Sequence, residues 1–431
     1  MKVNIPFFNI QYSILLVALA FFASCTKEQE DLFPESSANR ADNSIASNVK
    51  ILAGAQNGWL MEYFPHSQQS FGGYNIIVRF TEDGKVEALS EADEARCNSL
   101  YRVSQSAGTV LTFDTYNLAV HAFSDPSAPL GGNAGAGMEG DYDFSILKAT
   151  ADSVVLKGKR SSNYVKMTPM ATDQWEDYLA NITAVEDGMN ARKYTLTIGD
   201  TAVVAVKDGR TLTFTYVENG EELEGKLSYV VTPEGYKLYS PAEILGQKFS
   251  GFSYVEGTDV FPASDNSNVS IAVIYPTLAE IMSESYWGVA YSGLGATGKK
   301  YWDLLPQIQA EELGETLQYV LFGTYNGTFG VTFVSDGYLG SLIYAYQLVS
   351  DDEIAVLYQR GNPNDNGAWY VEHGFYDKNL AGPFGLAGEV HFYKLTADDA
   401  LNPSWILMTD EEDPDNTILL EGRLIPDPLN N

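Results

Sequence analysis

The chain has 431 residues, with 57 acidic and 26 basic side chains and a formal net charge of −31 at pH 7. Hydrophobic residues make up 45% and aromatic residues 13%, which excludes an acidic disordered protein and predicts a folded chain of two or three domains. The acidic excess argues against a nucleic-acid partner and against electrostatic docking on anionic lipid, because both require clusters of Lys and Arg.

Residues 1–24 have the pattern of a secretory signal peptide. Lys2 supplies the positive charge, and the apolar run that ends at Ala23 is too short for a spanning helix, which needs about 20 residues. Small residues then precede Cys25, and this arrangement resembles the lipobox of bacterial lipoproteins. The resemblance implies cleavage before Cys25 and acylation of its sulfur and amine, which together give a stable membrane anchor. A secreted protein with an incidental cysteine is the alternative.

Residues 25–43 are polar, and we predict that they form a flexible tether. The acidic cluster Glu28–Asp31 looks like the export signal of Bacteroidota lipoproteins, which implies lipid anchoring at the cell outer membrane with exposure at the surface. The other cysteine, Cys97, has no flanking histidine and no cysteine partner once Cys25 is acylated, so we interpret it as a packed thiol.

The body of the chain shows the two-residue period of β-strands. Tyr194, Leu196 and Ile198 alternate with threonines, and the segment from Thr211 to Tyr216 repeats that pattern. We predict a mainly β fold of two antiparallel, sandwich- or barrel-like halves, residues 44–240 and 241–431, with a few short helices. The boundary is predicted near Tyr239–Pro241, with the polar stretch 263–268 as the alternative. Eight Asn-Gly or Asp-Gly pairs occur along the chain, at residues 57–58, 83–84, 187–188, 208–209, 219–220, 326–327, 336–337 and 366–367, and several lie between alternating runs, where they predict hairpin turns.

Helical spacing occurs in four short segments. One follows the capping residues Asn43 and Ser44 and ends before Gly58, and a second runs from Trp175 to Ile182. Two more are predicted at Thr277–Ser285 and at Tyr301–Ile308, the latter interrupted by a proline.

Three segments near the start of the body resemble a known family. They are residues 57–65 (NGWLMEYFP), 72–75 (GGYN) and 80–86 (FTEDGKV), which are similar to the opening of a Bacteroidota lipoprotein family known as domain of unknown function, family 4302. The resemblance implies a lipoprotein over nearly the whole mature chain. It also implies an accessory role beside starch-utilisation-type outer-membrane transporters, in the capture of nutrients. It supplies no catalytic residues.

The sequence contains no catalytic motif in a suitable context. A G-x-S-x-G elbow, an H-E-x-x-H helix and a Walker loop are all absent, and Gly135–Gly140 matches G-x-G-x-x-G without a helix to follow it. We therefore predict a protein that is not an enzyme and takes no cofactor.

One cluster offers ligands for a metal ion. Glu372 and His373 lie in one segment, and Glu389 and His391 share a face of another, so two adjacent strands would bring the four together. A metal-dependent hydrolase is the enzymatic hypothesis that follows. Scattered surface side chains are the simpler interpretation.

Aromatic residues concentrate in the second half of the chain. Tyr286, Trp287, Trp302, Trp369 and Tyr370 lie near Gly, Asn or Asp, and aromatic faces stack on sugar rings while those polar groups bind hydroxyls. We predict that these five bind a ligand, with core packing as the alternative.

Together these features favour a non-catalytic accessory that binds a nutrient, either a glycan or a peptide, as part of an outer-membrane transporter complex. The second hypothesis is a structural partner or adhesin that docks on an envelope protein. Clustering of the tryptophans in one exposed cleft would support binding, whereas their burial would leave only the lipid anchor supported.

Overall fold

Antiparallel strands dominate the computed structural model, which describes residues 36–93, 96–359 and 364–431. The predicted signal peptide, Cys25 and the first part of the predicted tether lie outside the described residues. Strands β1–β24 form three closed barrels of eight strands each. The prediction of a mainly β fold with antiparallel sheets and a few short helices is confirmed.

The first barrel closes where β1 pairs with both β2 and β8. Its strands alternate large apolar residues toward the core with polar residues outward, so Trp59, Met61 and Tyr63 of β1 are buried while Leu60 and Glu62 face outward. The strands are β1 Trp59–Tyr63, β2 Tyr74–Phe80, β3 Lys85–Ser90, β4 Cys97–Ser106, β5 Gly108–Phe113, β6 Asp143–Thr150, β7 Ser153–Gly158 and β8 Tyr164–Pro169.

The second barrel closes through its first strand, which neighbours both the second and the last. The alternation predicted for Tyr194–Ile198 places Tyr194, Leu196 and Ile198 in its core. The strands are β9 Lys193–Ile198, β10 Thr201–Asp208, β11 Thr211–Glu218, β12 Glu221–Thr232, β13 Gly235–Ile244, β14 Gln247–Ser253, β15 Val260–Ala263 and β16 Asn266–Ile274.

The third barrel closes where its first strand pairs with its last. Its core holds Trp287 and Trp302 together with several tyrosines. The strands are β17 Tyr286–Gly288, β18 Leu317–Tyr325, β19 Thr328–Ser335, β20 Tyr338–Ser350, β21 Glu353–Tyr358, β22 Val390–Ala397, β23 Trp405–Asp410 and β24 Thr417–Glu421.

Seven α-helices connect or cap the barrels in the described residues, besides three short 3-10 helices and one π-helix. The α-helices are α1 Ser37–Gly54, α2 Leu118–His121, α3 Trp175–Gly188, α4 Leu278–Glu284, α5 Ala296–Trp302, α6 Leu305–Gln307 and α7 Asp365–Glu372. The helices predicted after Trp175 and Thr277 are confirmed, and Thr277 with Glu280 forms the capping box that starts α4. None of the described helices is both long enough and apolar enough to cross a membrane.

The first helix begins earlier than the sequence pattern predicted. Residues 37–43, expected as tether, are the first two turns of α1, because the Ser36 hydroxyl caps the helix by accepting from the Asn39 backbone N–H at 3.1 Å. Ser44, predicted as a cap, lies inside α1, and its hydroxyl is 3.0 Å from that of Thr109.

Five of the eight Asn-Gly and Asp-Gly pairs join consecutive strands. At Asn219-Gly220 and Asn326-Gly327 both residues have positive φ, between 48° and 83°, which the tight hairpin requires. The other three pairs differ: residues 57–58 precede β1, residues 187–188 end α3 and residues 366–367 lie within α7.

The described chain forms two compact units, one up to Val273 and one from Ile274 to Asn431. The first unit holds two barrels and the second holds one, so the division that we predicted between residues 240 and 241 falls within β13. Pro241 suggested a break there, but it lies where the β13–β14 pairing shifts register between Lys237 and Ala242. A proline is tolerated at such an irregularity because the ladder does not need its N–H.

Candidate functional site

A groove runs between the first and second barrels, within the first compact unit. It consists of three adjoining depressions of about 540, 460 and 410 Å³. The first two share Glu62, Lys237 and Tyr239, and the first and third share Leu60 and Tyr178. Outward residues of β1 therefore line part of each depression, and outward residues of β13 line the first two.

An ion pair crosses this groove. The Nζ of Lys237 on β13 donates to the Glu62 carboxylate on β1 at 2.5 Å. The Glu62 side chain is 17% exposed and that of Lys237 is 44% exposed, so the pair is within reach of a bound molecule. An ion pair this exposed contributes at most about 1 kcal/mol to folding, which leaves both groups available for recognition of a polar ligand.

Tyrosines supply the aromatic surface of the groove. Tyr239 packs edge-on against Phe64 at 4.9 Å, and its hydroxyl accepts from the Tyr164 backbone N–H at 3.0 Å. Tyr164 is 55% exposed, so its ring is open to solvent. Burial raises the pKa of Tyr178, and the negative charges of Glu234 and Glu62 raise it further, so its hydroxyl remains a hydrogen-bond donor at neutral pH.

The floor of the groove requires glycine. Gly235 has φ +132°, and a Cβ on it would lie 2.1 Å from the Phe252 carbonyl oxygen. A Cβ on Gly251 would lie 2.3 Å from the Tyr236 carbonyl oxygen. Both positions therefore allow β13 and β14 to approach closely beneath the cavity.

A buried polar cluster, the Arg210 junction, fixes the two barrels against each other. Arg210 donates to the carboxylates of Glu91 at 2.5 Å and Glu186 at 2.6 Å, and to the Gly73 carbonyl oxygen at 2.8 Å. The guanidinium also lies 4.9 Å from the centre of the Tyr74 ring. Four groups, three from the first barrel and one from α3, thus converge on one cation from the second barrel.

Opposing electrostatic effects act at this junction. Burial raises the pKa of Glu91, and the Arg210 charge offsets only part of that effect. Burial alone would lower the pKa of Arg210, but Glu91 and Glu186 outweigh it and hold the guanidinium charged. The junction is therefore sensitive to the loss of either partner.

The five predicted ligand-binding aromatics do not form an exposed cleft. Trp287, Trp302 and Tyr370 are at most 5% exposed in the third barrel, where Trp302 donates its indole N–H to the Leu380 carbonyl oxygen at 3.3 Å. Trp287 lies on strand β17, whereas Trp302 and Tyr370 lie on helices α5 and α7, and all three belong to one hydrophobic core cluster. The core is the usual place for such large rings. Tyr286 and Trp369 are 48% and 44% exposed, and of the five only Trp369 and Tyr370 are in ring contact in the described residues.

The predicted metal ligands are also divided. Glu372 and His373 lie at the end of helix α7, not on a strand, and His373 Nδ1 hydrogen-bonds the Trp369 carbonyl oxygen at 2.8 Å. His391 Nε2 is 3.6 Å from Glu389, while its Nδ1 is 2.9 Å from the buried carboxylate of Asp410. In the described residues no group of three or more His, Cys, Asp or Glu side chains is placed to hold a metal ion.

Sequence patterns did not identify the groove residues as a site. Glu62 stands in the NGWLMEYFP segment that carries the family resemblance, and Tyr239 lies beside the predicted domain boundary. The alternation in β1 predicts that Glu62 faces outward, but nothing local to it indicates that Lys237 lies opposite.

A larger depression of about 710 Å³ lies on the outer face of β23 and β24 in the second unit. Trp405, Leu407 and Leu419 line it, and its charged groups Glu421 and Arg423 pair with each other at 2.8 Å. It offers an apolar surface with few unpaired polar groups, so the inter-barrel groove is the better candidate for a specific ligand.

Comparisons with known proteins give one family match. A family model described as "Domain of unknown function (DUF4302)" matches residues 29–256, which is just over half of the chain and includes Glu62, Tyr178, Lys237 and Tyr239. No curated protein matches.

Two solved structures illustrate the structural comparison. A putative DNA polymerase III beta subunit from Eubacterium rectale ATCC 33656 is 9% identical over 90% of this chain and 98% of its own, with a TM-score of 0.12. The immune modulator A of Aeromonas veronii is 10% identical over 89% of this chain and 100% of its own, also with a TM-score of 0.12. At these scores neither similarity bears on fold or function.

Proposed function

The chain belongs to the family described as a domain of unknown function, DUF4302, and we propose that it is a lipid-anchored surface protein whose inter-barrel groove binds a glycan or a peptide without catalysis. The observation that carries this proposal is the groove itself. It combines tyrosine faces with a charged pair in three adjoining depressions.

The chemistry of the groove suits a ligand with many polar groups. Tyr239 and Tyr164 offer ring faces, Glu62 accepts hydrogen bonds and Lys237 donates them. Apolar faces beside a few fixed polar groups are the usual composition of sites that bind small ligands. Both sugar rings and extended peptides present this mixture of apolar faces and hydrogen-bonding groups.

The lipobox-like segment before Cys25 supports anchoring at the outer membrane. A Cys25→Ala variant should lose incorporation of radiolabelled palmitate and should no longer fractionate with membranes. A Cys97→Ala variant is the matched control, because Cys97 lies in the first barrel beside Asn117. Equal labelling of the wild-type and Cys25→Ala proteins would contradict lipid anchoring.

Ligand binding is tested with the processed protein, solubilised from membranes in detergent and screened against glycan and peptide panels. For the ligand found, Tyr239→Ala should weaken binding by about 1 kcal/mol, roughly fivefold in Kd, because one stacking face is lost. Tyr338→Ala is the control, since Tyr338 is 56% exposed on the third barrel. Absence of any ligand, together with tight co-purification of an envelope protein, would favour a docking role instead.

A further inference from the structure

Four lysines lie at or beside the outer end of the groove, and two of them, Lys166 and Lys237, line its 460 Å³ depression. Lys148 on β6, Lys157 on β7 and Lys166 on β8 project outward from the first barrel, and Lys237 on β13 faces them from the second. We call these four residues the lysine strip. The residues that flank Lys157, Lys166 and Lys237 face the core, which fixes these three lysines on the outer face. Lys148 joins the same outward row through its pairing with Val155.

The strand register places these lysines close together. Lys148 lies opposite Val155, and Val155 lies opposite Lys166, so the two lysines are two strand spacings apart, about 10 Å. Lys157 lies opposite Tyr164 in the next outward row, about 7 Å further along the strands. Lys166 and Lys237 line the same depression, one from each barrel.

One acid, Glu62, is placed against the lysine strip, since it lies opposite Lys166 in the β1–β8 register. Glu62 is the one acid among the residues that line the 460 Å³ depression, and it already pairs with Lys237. In the described residues Lys148, Lys157 and Lys166 make no ion pair, and Lys157 lies 5.8 Å from the centre of the Tyr164 ring.

The strip stands out because the whole chain carries −31 with only 26 basic residues. At physiological salt the screening length is about 8 Å, so acidic groups elsewhere on the surface are largely screened from this site. The local field at the outer end of the groove is therefore positive, and it favours an anion.

We propose that the ligand of the groove is an anionic glycan, whose carboxylate or sulfate groups bind the lysine strip while its sugar rings lie against Tyr164 and Tyr239. This inference rests on the proposed function, since it concerns the same groove. It replaces the general expectation from net charge, which disfavoured anionic partners, with one drawn from the placement of the lysines.

The test measures binding of the processed protein to four probes: polygalacturonate, dextran sulfate, neutral dextran and single-stranded oligothymidylate. We expect polygalacturonate or dextran sulfate to bind at least about tenfold more tightly than neutral dextran, with added salt weakening the interaction. The stronger of the two identifies carboxylate or sulfate as the recognised group.

Charge-removing variants connect this binding to the lysine strip. Lys166→Gln and Lys157→Gln should each weaken binding of the anionic glycan by about tenfold. Lys378→Gln, at an exposed position in the second compact unit, is the matched control and should leave binding unchanged. Circular dichroism checks that each variant is folded.

The remaining outcomes are distinguishable. Binding of neutral dextran as tight as that of the anionic glycans, and sensitive to Tyr239→Ala, would overturn this inference but leave the proposed function intact. Absence of binding to every glycan, here and in the wider panels, would overturn both. Equal binding of oligothymidylate and glycan, lost together in the lysine variants, would show an unspecific polyanion surface and overturn the inference.

Discussion

Replacing Arg210 with methionine removes the cation at the centre of the Arg210 junction. The side chains of Arg210 and Glu91 are 10% and 6% exposed, so the variant leaves a buried carboxylate without its counter-charge. Breaking a buried pair in this way costs about 3–5 kcal/mol. Because whole domains are stable by only about 5–15 kcal/mol, the first compact unit should lose a large part of its stability.

Hydrogen exchange is the appropriate assay, because it reports on the two compact units separately. Peptides covering β3 and β11 should lose about 3–5 kcal/mol of protection in Arg210→Met, while peptides of the third barrel should not change. Arg102→Met is the matched control: its pair with Asp114 spans 3.2 Å with side chains 59% and 46% exposed. An exposed pair of this kind contributes at most about 1 kcal/mol.

The pH dependence gives a second check on the same reasoning. Burial already raises the pKa of Glu91, and loss of Arg210 removes the effect that opposes it. A carboxyl with a raised pKa in the folded state favours folding at low pH and loses that contribution as pH rises through the folded pKa. The loss of stability of Arg210→Met relative to the wild-type protein should therefore be smaller at pH 5 than at pH 7. Two results would refute this reasoning. One is an equal loss of hydrogen-exchange protection in Arg210→Met and Arg102→Met, and the other is a loss in Arg210→Met that becomes larger at lower pH.

Two further predictions concern the third barrel. Trp302→Ala removes a fully buried indole and should cost about 3–5 kcal/mol in hydrogen-exchange protection of the second unit. Trp369→Ala is the control and should cost much less, because Trp369 is 44% exposed. Similar losses of protection in the two variants would contradict the assignment of Trp302 to the core. For Asp410, burial would raise the pKa, but His391, Asn416 and the backbone N–H of Glu412 outweigh it and hold the pKa below its ordinary value. Its stabilising contribution is then present above about pH 4 and is lost as pH falls through the folded pKa. Asp410→Asn should consequently destabilise the barrel at pH 7 and have little effect near pH 2, as measured by acid and thermal unfolding followed by circular dichroism.

The strands and many of their turns were predictable because both depend on neighbouring residues. The alternation of Tyr194, Leu196 and Ile198 fixes one face of β9, and Asn219-Gly220 supplies the positive φ that joins β11 to β12. Closure into barrels was not predictable in the same way. The pairing of β1 with β8 joins residues more than one hundred positions apart, and no local pattern specifies that partner.

The aromatic residues also show that local sequence patterns do not specify tertiary packing. Trp287 and Trp369 have similar neighbours in sequence, yet one is 5% exposed and the other 44%. Trp287 lies on strand β17 and Trp369 on helix α7, so which ring faces the core depends on how each element packs on the barrel. Composition alone therefore identified aromatic residues without separating core from surface. The lysine strip was missed for a related reason: Lys148, Lys157 and Lys166 are nine residues apart and meet only through the β6–β7–β8 register.

The Arg210 junction and the groove are two consequences of one packing arrangement. Apolar contact between barrels would allow several relative positions, because it lacks directional preference. Here Asn75 donates to the Val231 carbonyl oxygen at 2.7 Å, and the Gly73 N–H donates to that of Tyr229 at 2.9 Å, so hydrogen bonds set one position of β12 against β2. That position brings Lys237, on the strand after β12, opposite Glu62, on the strand before β2. A buried ion pair adds little stability compared with apolar packing, but its geometry restricts how the barrels fit together. We therefore infer that the Arg210 junction determines the shape of the groove. Strands β1 and β13, which carry Glu62 and Lys237, are held in position by contacts that lie away from the ligand.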